Sequence, residues 1–87
     1  MSNEIVVDVH ELQPPEPMEL ALNALDKLGD GDYIKMIHRM QPMPLYRILD
    51  ENGFRYKAIT GTTSAFDIYI WRASDKAAQQ AVKAIIG

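Results

Sequence analysis

The chain alternates β-branched stretches with apolar stripes at helical spacing, and their order outlines the fold. Ile5-Val6-Val7-Asp8-Val9 is a short β-branched run and predicts a first strand. From Met18 the apolar residues Met18, Ala21, Leu22, Leu25 and Leu28 recur along one helical face, with Glu19, Asn23, Asp26 and Lys27 on the other side. Gly29 is placed to end that helix, and Asp30-Gly31-Asp32 reads as a turn. Tyr33 to Arg39 alternates as a strand does, Ile34, Met36 and His38 pointing one way and Tyr33, Lys35, Ile37 and Arg39 the other. Gln41-Pro42-Met43-Pro44 breaks the chain and opens a short helix with Leu45, Ile48 and Leu49 apolar and Asn52-Gly53 as its stop. Phe54 to Ile59 and Ala65 to Arg72 read as two strands around the polar loop Thr60-Gly61-Thr62-Thr63-Ser64. Ser74 is placed to cap a last helix whose stripe is Ala78, Ala81, Val82 and Ile85.

This order predicts an α+β two-layer sandwich, β-α-β-α-β-β, with a four-stranded mixed sheet, two helices on one face and an extra C-terminal helix. Residues 1–87 make a single domain, near the small end of what buries its own core. Two helices on one face leave Tyr33, Ile37, Tyr69 and Trp71 on the other, too apolar to face water. The connection Ala73-Ser74-Asp75 is short enough to return the last helix onto its own sheet rather than onto a second chain.

Composition narrows the chemistry. The 87 residues are 47% hydrophobic and 24% charged, as in ordinary globular proteins, and contain no cysteine, which removes disulfides, thiolate metal sites and cysteine nucleophiles. No apolar run approaches a membrane span, and the start Met1-Ser2-Asn3-Glu4 lacks the regions of a signal peptide, so a cytoplasmic protein is expected. The net charge of −3 hides an asymmetry: residues 1–32 carry −7 and the remainder +4. The acidic first part argues against nucleic acid as a partner, although Lys35, Arg39, Arg47, Arg55 and Lys57 make the middle locally basic.

The corner Leu12-Gln13-Pro14-Pro15-Glu16-Pro17-Met18 joins the first strand to the first helix, whose opening turn the prolines pre-set. Asp8-Val9 before this corner, Gly31-Asp32 and a hydrophobic strand after it, and Pro44-Leu45-Tyr46 ahead of Gly53-Phe54 resemble an uncharacterised bacterial family related to the TusA/SirA-like sulfur carriers. The resemblance covers residues 8–72 and leaves residues 73–87 as an addition. In the carriers the corner reads Cys-Pro-x-Pro, and its cysteine bears the persulfide. Aligning Pro15-Glu16-Pro17 on Pro-x-Pro places Pro14 where that cysteine belongs, so the sulfur chemistry does not carry over. The resemblance implies the two-layer sandwich, a shared partner surface and an accessory role in redox, sulfur or nitrogen-oxide metabolism.

The residues themselves offer two weaker sites. His38, Arg39 and Arg47 gather around the proline-broken start of the second helix, where a helix N-terminus beside fixed positive charge suits an anion. Against this, Arg39 and Arg47 can simply pair with Asp50 or Glu51. His10 and His38 follow the ends of the first two strands and, with a thioether from Met36, Met40 or Met43, offer a soft-metal or haem site; their spacing is no ligand motif, and a surface His10 with a half-buried His38 is the simpler reading. Glu11, Glu16 and Glu19 suit the helix dipole better than acid–base catalysis, and neither Ser64 nor Ser74 has a histidine at motif spacing. The expectation is therefore a non-enzymatic binding module without a cofactor, a monomer or weak homodimer, that takes a protein partner or a small anionic ligand. Its candidate site comprises Pro14, Pro15, Glu16, Pro17, His38, Arg39, Pro44, Tyr46 and Arg47. The alternatives are a metal or haem module built on His10 and His38, and a sulfur-relay carrier or enzyme.

Overall fold

Each alternating or β-branched stretch forms a strand and each stripe a helix. The computed structural model describes residues 2–87 and runs β1 (Glu4–Asp8), α1 (Glu16–Asp26), β2 (Tyr33–His38), α2 (Met43–Glu51), β3 (Phe54–Thr60), β4 (Phe66–Arg72) and α3 (Lys76–Ile86). The strands form one mixed sheet in the order β1-β2-β4-β3, with β1 and β2 parallel and β4 antiparallel to both of its neighbours. The connections through α1 and α2 are therefore both parallel crossovers, the second stepping over β4, and their common handedness puts both helices on one face. It also raises the two helix N-termini side by side, above the ends of β1 and β2.

Strand alternation divides the apolar residues between two cores. On the first face Ile34 and Met36 of β2 lie in register with Ile70 and Ile68 of β4. They are buried beneath Ala21 and Leu25 of α1 and Leu45 and Leu49 of α2. On the second face Tyr33, Tyr69 and Trp71 are covered by Ala78 and Val82 of α3, so the last helix folds back onto its own sheet. Alanine at position 78 lets the helix backbone approach closely, and Val82, only 1% exposed, supplies the larger contact.

Several boundaries differ from the sequence expectation, each for a local reason. β1 ends at Asp8, although buried Val9 still donates its N–H to the Ile37 carbonyl. α1 begins at Glu16 and ends at Asp26: Lys27 and Leu28 turn their N–H groups back to the Ala24 and Leu25 carbonyls, and Gly29 instead donates to the Asp32 carboxylate. Asp75, not Ser74, caps α3; one carboxylate oxygen accepts the Ala78 N–H and the other the N–H of Gly31, whose φ of 81° belongs to glycine. These two N–H groups hold the Asp75 carboxyl below the ordinary carboxylate value and tie α3 to the turn that opens β2. Ile85 faces solvent at 46% exposure, because the buried line follows Ala78, Val82 and Ile86 as α3 crosses the sheet.

Where α3 does not reach, Asp67 is buried beside its register partner Ile37, with Lys35 Nζ 3.9 Å from one carboxylate oxygen and no partner for the other among the described residues. Among the described residues no helix is long and apolar enough to cross a membrane.

Candidate functional site

Two short sequences of one form start the two helices of the first face: Pro15-Glu16-Pro17-Met18 and Pro42-Met43-Pro44-Leu45. Each begins with a proline at the cap and carries a second in the opening turn, so one of the N–H groups that a helix start leaves unpaired is missing from the outset. Local turns consume most of the others. The Glu16 and Glu19 N–H groups bond to the Gln13 and Pro15 carbonyls, and those of Met43 and Tyr46 to the Gln41 and Pro42 carbonyls. Among the described residues the N–H groups of Met18 and Leu45 are left without an acceptor. Both residues line the same cavity, of about 300 Å³, between the corners.

The walls of this cavity come from three places. The first corner contributes Leu12, Pro14, Pro15, Pro17 and Met18; the end of β2 and the loop after it contribute Met36, His38, Arg39, Met40 and Gln41; the start of α2 adds Pro42, Pro44 and Leu45. The surface is mostly apolar, and the methionines divide by depth, Met36 fully buried and Met40 half-exposed.

Every polar side chain that reaches it is a donor. His38 is 5% exposed; its Nδ1 accepts the Met40 N–H at 3.3 Å, which fixes a neutral ring with its proton on Nε2. Burial, with Arg39 nearby, lowers the His38 pKa below its ordinary value and keeps the ring uncharged. Gln41 spends its carbonyl oxygen on the Tyr46 hydroxyl at 3.0 Å and so offers its amide N–H groups. Arg39 gives one N–H to the His10 carbonyl at 3.2 Å and keeps the rest of its fork at the cavity's edge. No carboxylate lines the cavity among the described residues. With the positive ends of two helix dipoles added, the cavity offers donors to an acceptor and has no free side-chain acceptor of its own.

Of the residues expected from sequence, Pro14, Pro15, Pro17, His38, Arg39 and Pro44 come together here. Glu16 and Arg47 point to solvent outside it. Tyr46 is turned inward: it stacks on Tyr56 with ring centroids 4.2 Å apart and planes at 4°, and acts on the cavity only by orienting Gln41. Neither Arg39 nor Arg47 pairs with Asp50 or Glu51 among the described ion pairs; Asp50 accepts from the Tyr56 hydroxyl instead. His10 lies outside the cavity, its ring bonded to Asp8, and this bond holds the Asp8 carboxyl below its ordinary value. No group of three or more His, Asp or Glu side chains is arranged to hold a metal among the described residues.

Sequence reasoning missed Leu12, Met18, Met36, Met40, Gln41, Pro42 and Leu45 as cavity residues. The repeated proline-x-proline-apolar form was the signal that could have found Met18 and Leu45, since it marks two helix starts with the same free N–H.

No curated protein and no solved structure matches the chain. A family model described as an uncharacterized conserved protein, DUF2249, matches residues 6–72, a span that takes in both proline corners and the cavity and stops before α3. The chain belongs to this family, DUF2249.

Proposed function

We propose that the protein is a non-enzymatic binding module whose cavity between the two proline corners receives the anionic or acceptor group of a ligand. One observation carries this reading: a mostly apolar cavity is lined by Met18 and Leu45, whose N–H groups are unpaired at the two helix starts, by His38 with its Nε2–H and by Arg39, with no carboxylate among them. Helix N-termini that present free N–H groups bind anions through those groups and through the dipole. The element order and the place of Pro14 on the cavity wall support a sulfur-carrier-like scaffold in which proline stands at the persulfide position. The scaffold then keeps the location of the carrier site and replaces covalent attachment by hydrogen bonding.

The experiment is a titration with acetate, followed by NMR, of the wild-type protein and Arg39→Ala. A hydrogen bond to a charged group contributes about 1.5–3 kcal/mol, so the variant is expected to bind acetate about tenfold or more weakly. Equal affinity in the two proteins, or none in either, would overturn the reading.

A further inference from the structure

We propose that the ligand of this cavity is a small monocarboxylate with an apolar body, an aromatic or branched aliphatic acid, whose carboxylate is held by the Met18 amide, the His38 imidazole and the Arg39 guanidinium and whose body lies against Leu12, Met18 and Met40. The proposal rests on the cavity being the binding site and adds the class of compound that fills it.

Three features select this class. The first is size. At about 300 Å³ the cavity stands at the lower end of small-molecule sites, which run from about 300 to 1,000 Å³. It has room for a ring or a short branched chain, whereas an inorganic oxyanion would leave most of its apolar wall unfilled. The second is the balance of donors and charge. The Met18 N–H, the Nε2–H of His38 and the Arg39 fork at the exposed edge suit the two oxygens of one carboxylate and bring a single full positive charge to it. A hydrated dianion such as phosphate or sulfate would have to shed more water against proline rings and thioethers than these donors can replace. The third is the nature of the wall. Met18 and Met40 are unbranched and polarizable, adapt to irregular apolar shapes, and make favourable sulfur contacts with aromatic rings.

His38 gives the site a readout of its own. Burial lowers the His38 pKa and favours the neutral ring. A carboxylate set against Nε2–H favours the protonated ring, so occupation by an acid moves the His38 pKa upward, while a neutral ligand of the same shape leaves it where burial put it.

The test uses the whole chain and three compounds: phenylacetate, phenylacetamide and inorganic phosphate. Affinity is measured by calorimetry, and the Met18 and Met40 methyl signals, the Met18 amide and the His38 ring are followed by NMR. Charge-assisted hydrogen bonds are about twice as strong as neutral ones, so phenylacetate is expected to bind at least about tenfold more tightly than phenylacetamide. It is also expected to bind more tightly than phosphate, to move both methyl signals and to raise the His38 pKa. Equal binding of the acid and its amide, with the methyl signals moving in both, would overturn the carboxylate assignment and leave an apolar ligand site. Tighter binding of phosphate would overturn the apolar body while leaving the anion site intact. If none of the three moves the Met18 or Met40 methyls or the Met18 amide, both this inference and the binding site beneath it are wrong.

Discussion

A chain shortened to end at Arg72 is expected to show red-shifted tryptophan emission, a lower melting temperature and self-association, while keeping the fold of its first face. α3 is the cover over Tyr33, Tyr69 and Trp71. Burying a side chain the size of Val82 contributes about 1.5–3 kcal/mol, and for a domain of this length each kcal/mol corresponds to roughly 4–8 °C in Tm. The shortened chain also loses the Asp75 carboxylate that holds the Gly31 N–H at 2.7 Å. The indole N–H of Trp71 has no partner among the described residues, so exposing it to water returns part of the loss. The first core, Ile34, Met36, Ile68 and Ile70 beneath α1 and α2, has no member in α3 and persists. Unchanged emission and an unchanged mass in solution would mean that α3 adds nothing to the sheet.

The second large effect is expected from Gln41→Glu, which differs from the native side chain in little but charge. The substituted side chain still accepts from the Tyr46 hydroxyl, so the local bonding survives, but a carboxylate oxygen now stands where the structure has an amide donor. Two like charges 4 Å apart repel by about 1 kcal/mol even in bulk water and by more where the walls exclude water. Binding of phenylacetate should therefore weaken by about tenfold or more.

The same substitution reverses the pressure on His38. In the native chain the folded pKa lies below the ordinary 6.5, so the neutral ring contributes stability that is fully present above 6.5. That contribution is lost as the pH falls from 6.5 through the folded value, because the unfolded chain takes up the proton first. With the introduced carboxylate nearby the folded pKa rises and this loss shrinks. Melting temperatures above and below pH 6.5, with the His38 titration followed by NMR, check both signs. Tighter ligand binding, or a His38 pKa that falls further, would contradict the donor-only description of the cavity.

Much of the fold was legible because two periodicities coincide with simple burial. Alternation in Tyr33–His38 and Phe66–Arg72 sorted Ile34, Met36, Ile68 and Ile70 from Tyr33, Tyr69 and Trp71, and the structure places these two sets on opposite faces under different helices. The uncovered aromatic face and the short link after β4 together pointed to the return of α3. What local pattern could not reach depends on partners distant in sequence. Ser74 and Asp75 are equally good caps on paper, and the Gly31 N–H, 44 residues away, adds to the reasons for Asp75.

The site was legible only in outline. The proline corners and the histidine-arginine pair after β2 could be named because proline geometry and charge are properties of single residues. That both corners border one cavity follows from β1 and β2 being parallel neighbours, a fact of strand order. Tyr46 entered through the Pro44-Leu45-Tyr46 motif of the family resemblance. Its stacking on Tyr56 of β3 turns it inward and leaves Gln41, read from sequence only as part of the chain break, as the group at the cavity. The tautomer of His38 rests on one backbone N–H two residues on, which no spacing rule reveals.

The measurement closest to the central claim is the map of backbone amide shifts in the wild-type protein as acetate is added. Met18 and Leu45 carry the N–H groups left free at the two helix starts, whereas the Gly61 N–H is already bonded to the Ala65 carbonyl in the β3–β4 hairpin. The account expects the Met18 amide to move furthest, with the Leu45 amide following along the same saturation curve and the amides of Gly61 to Ser64 nearly still. Equal movement in the hairpin would report only nonspecific screening by added salt, and the cavity would no longer be a binding site.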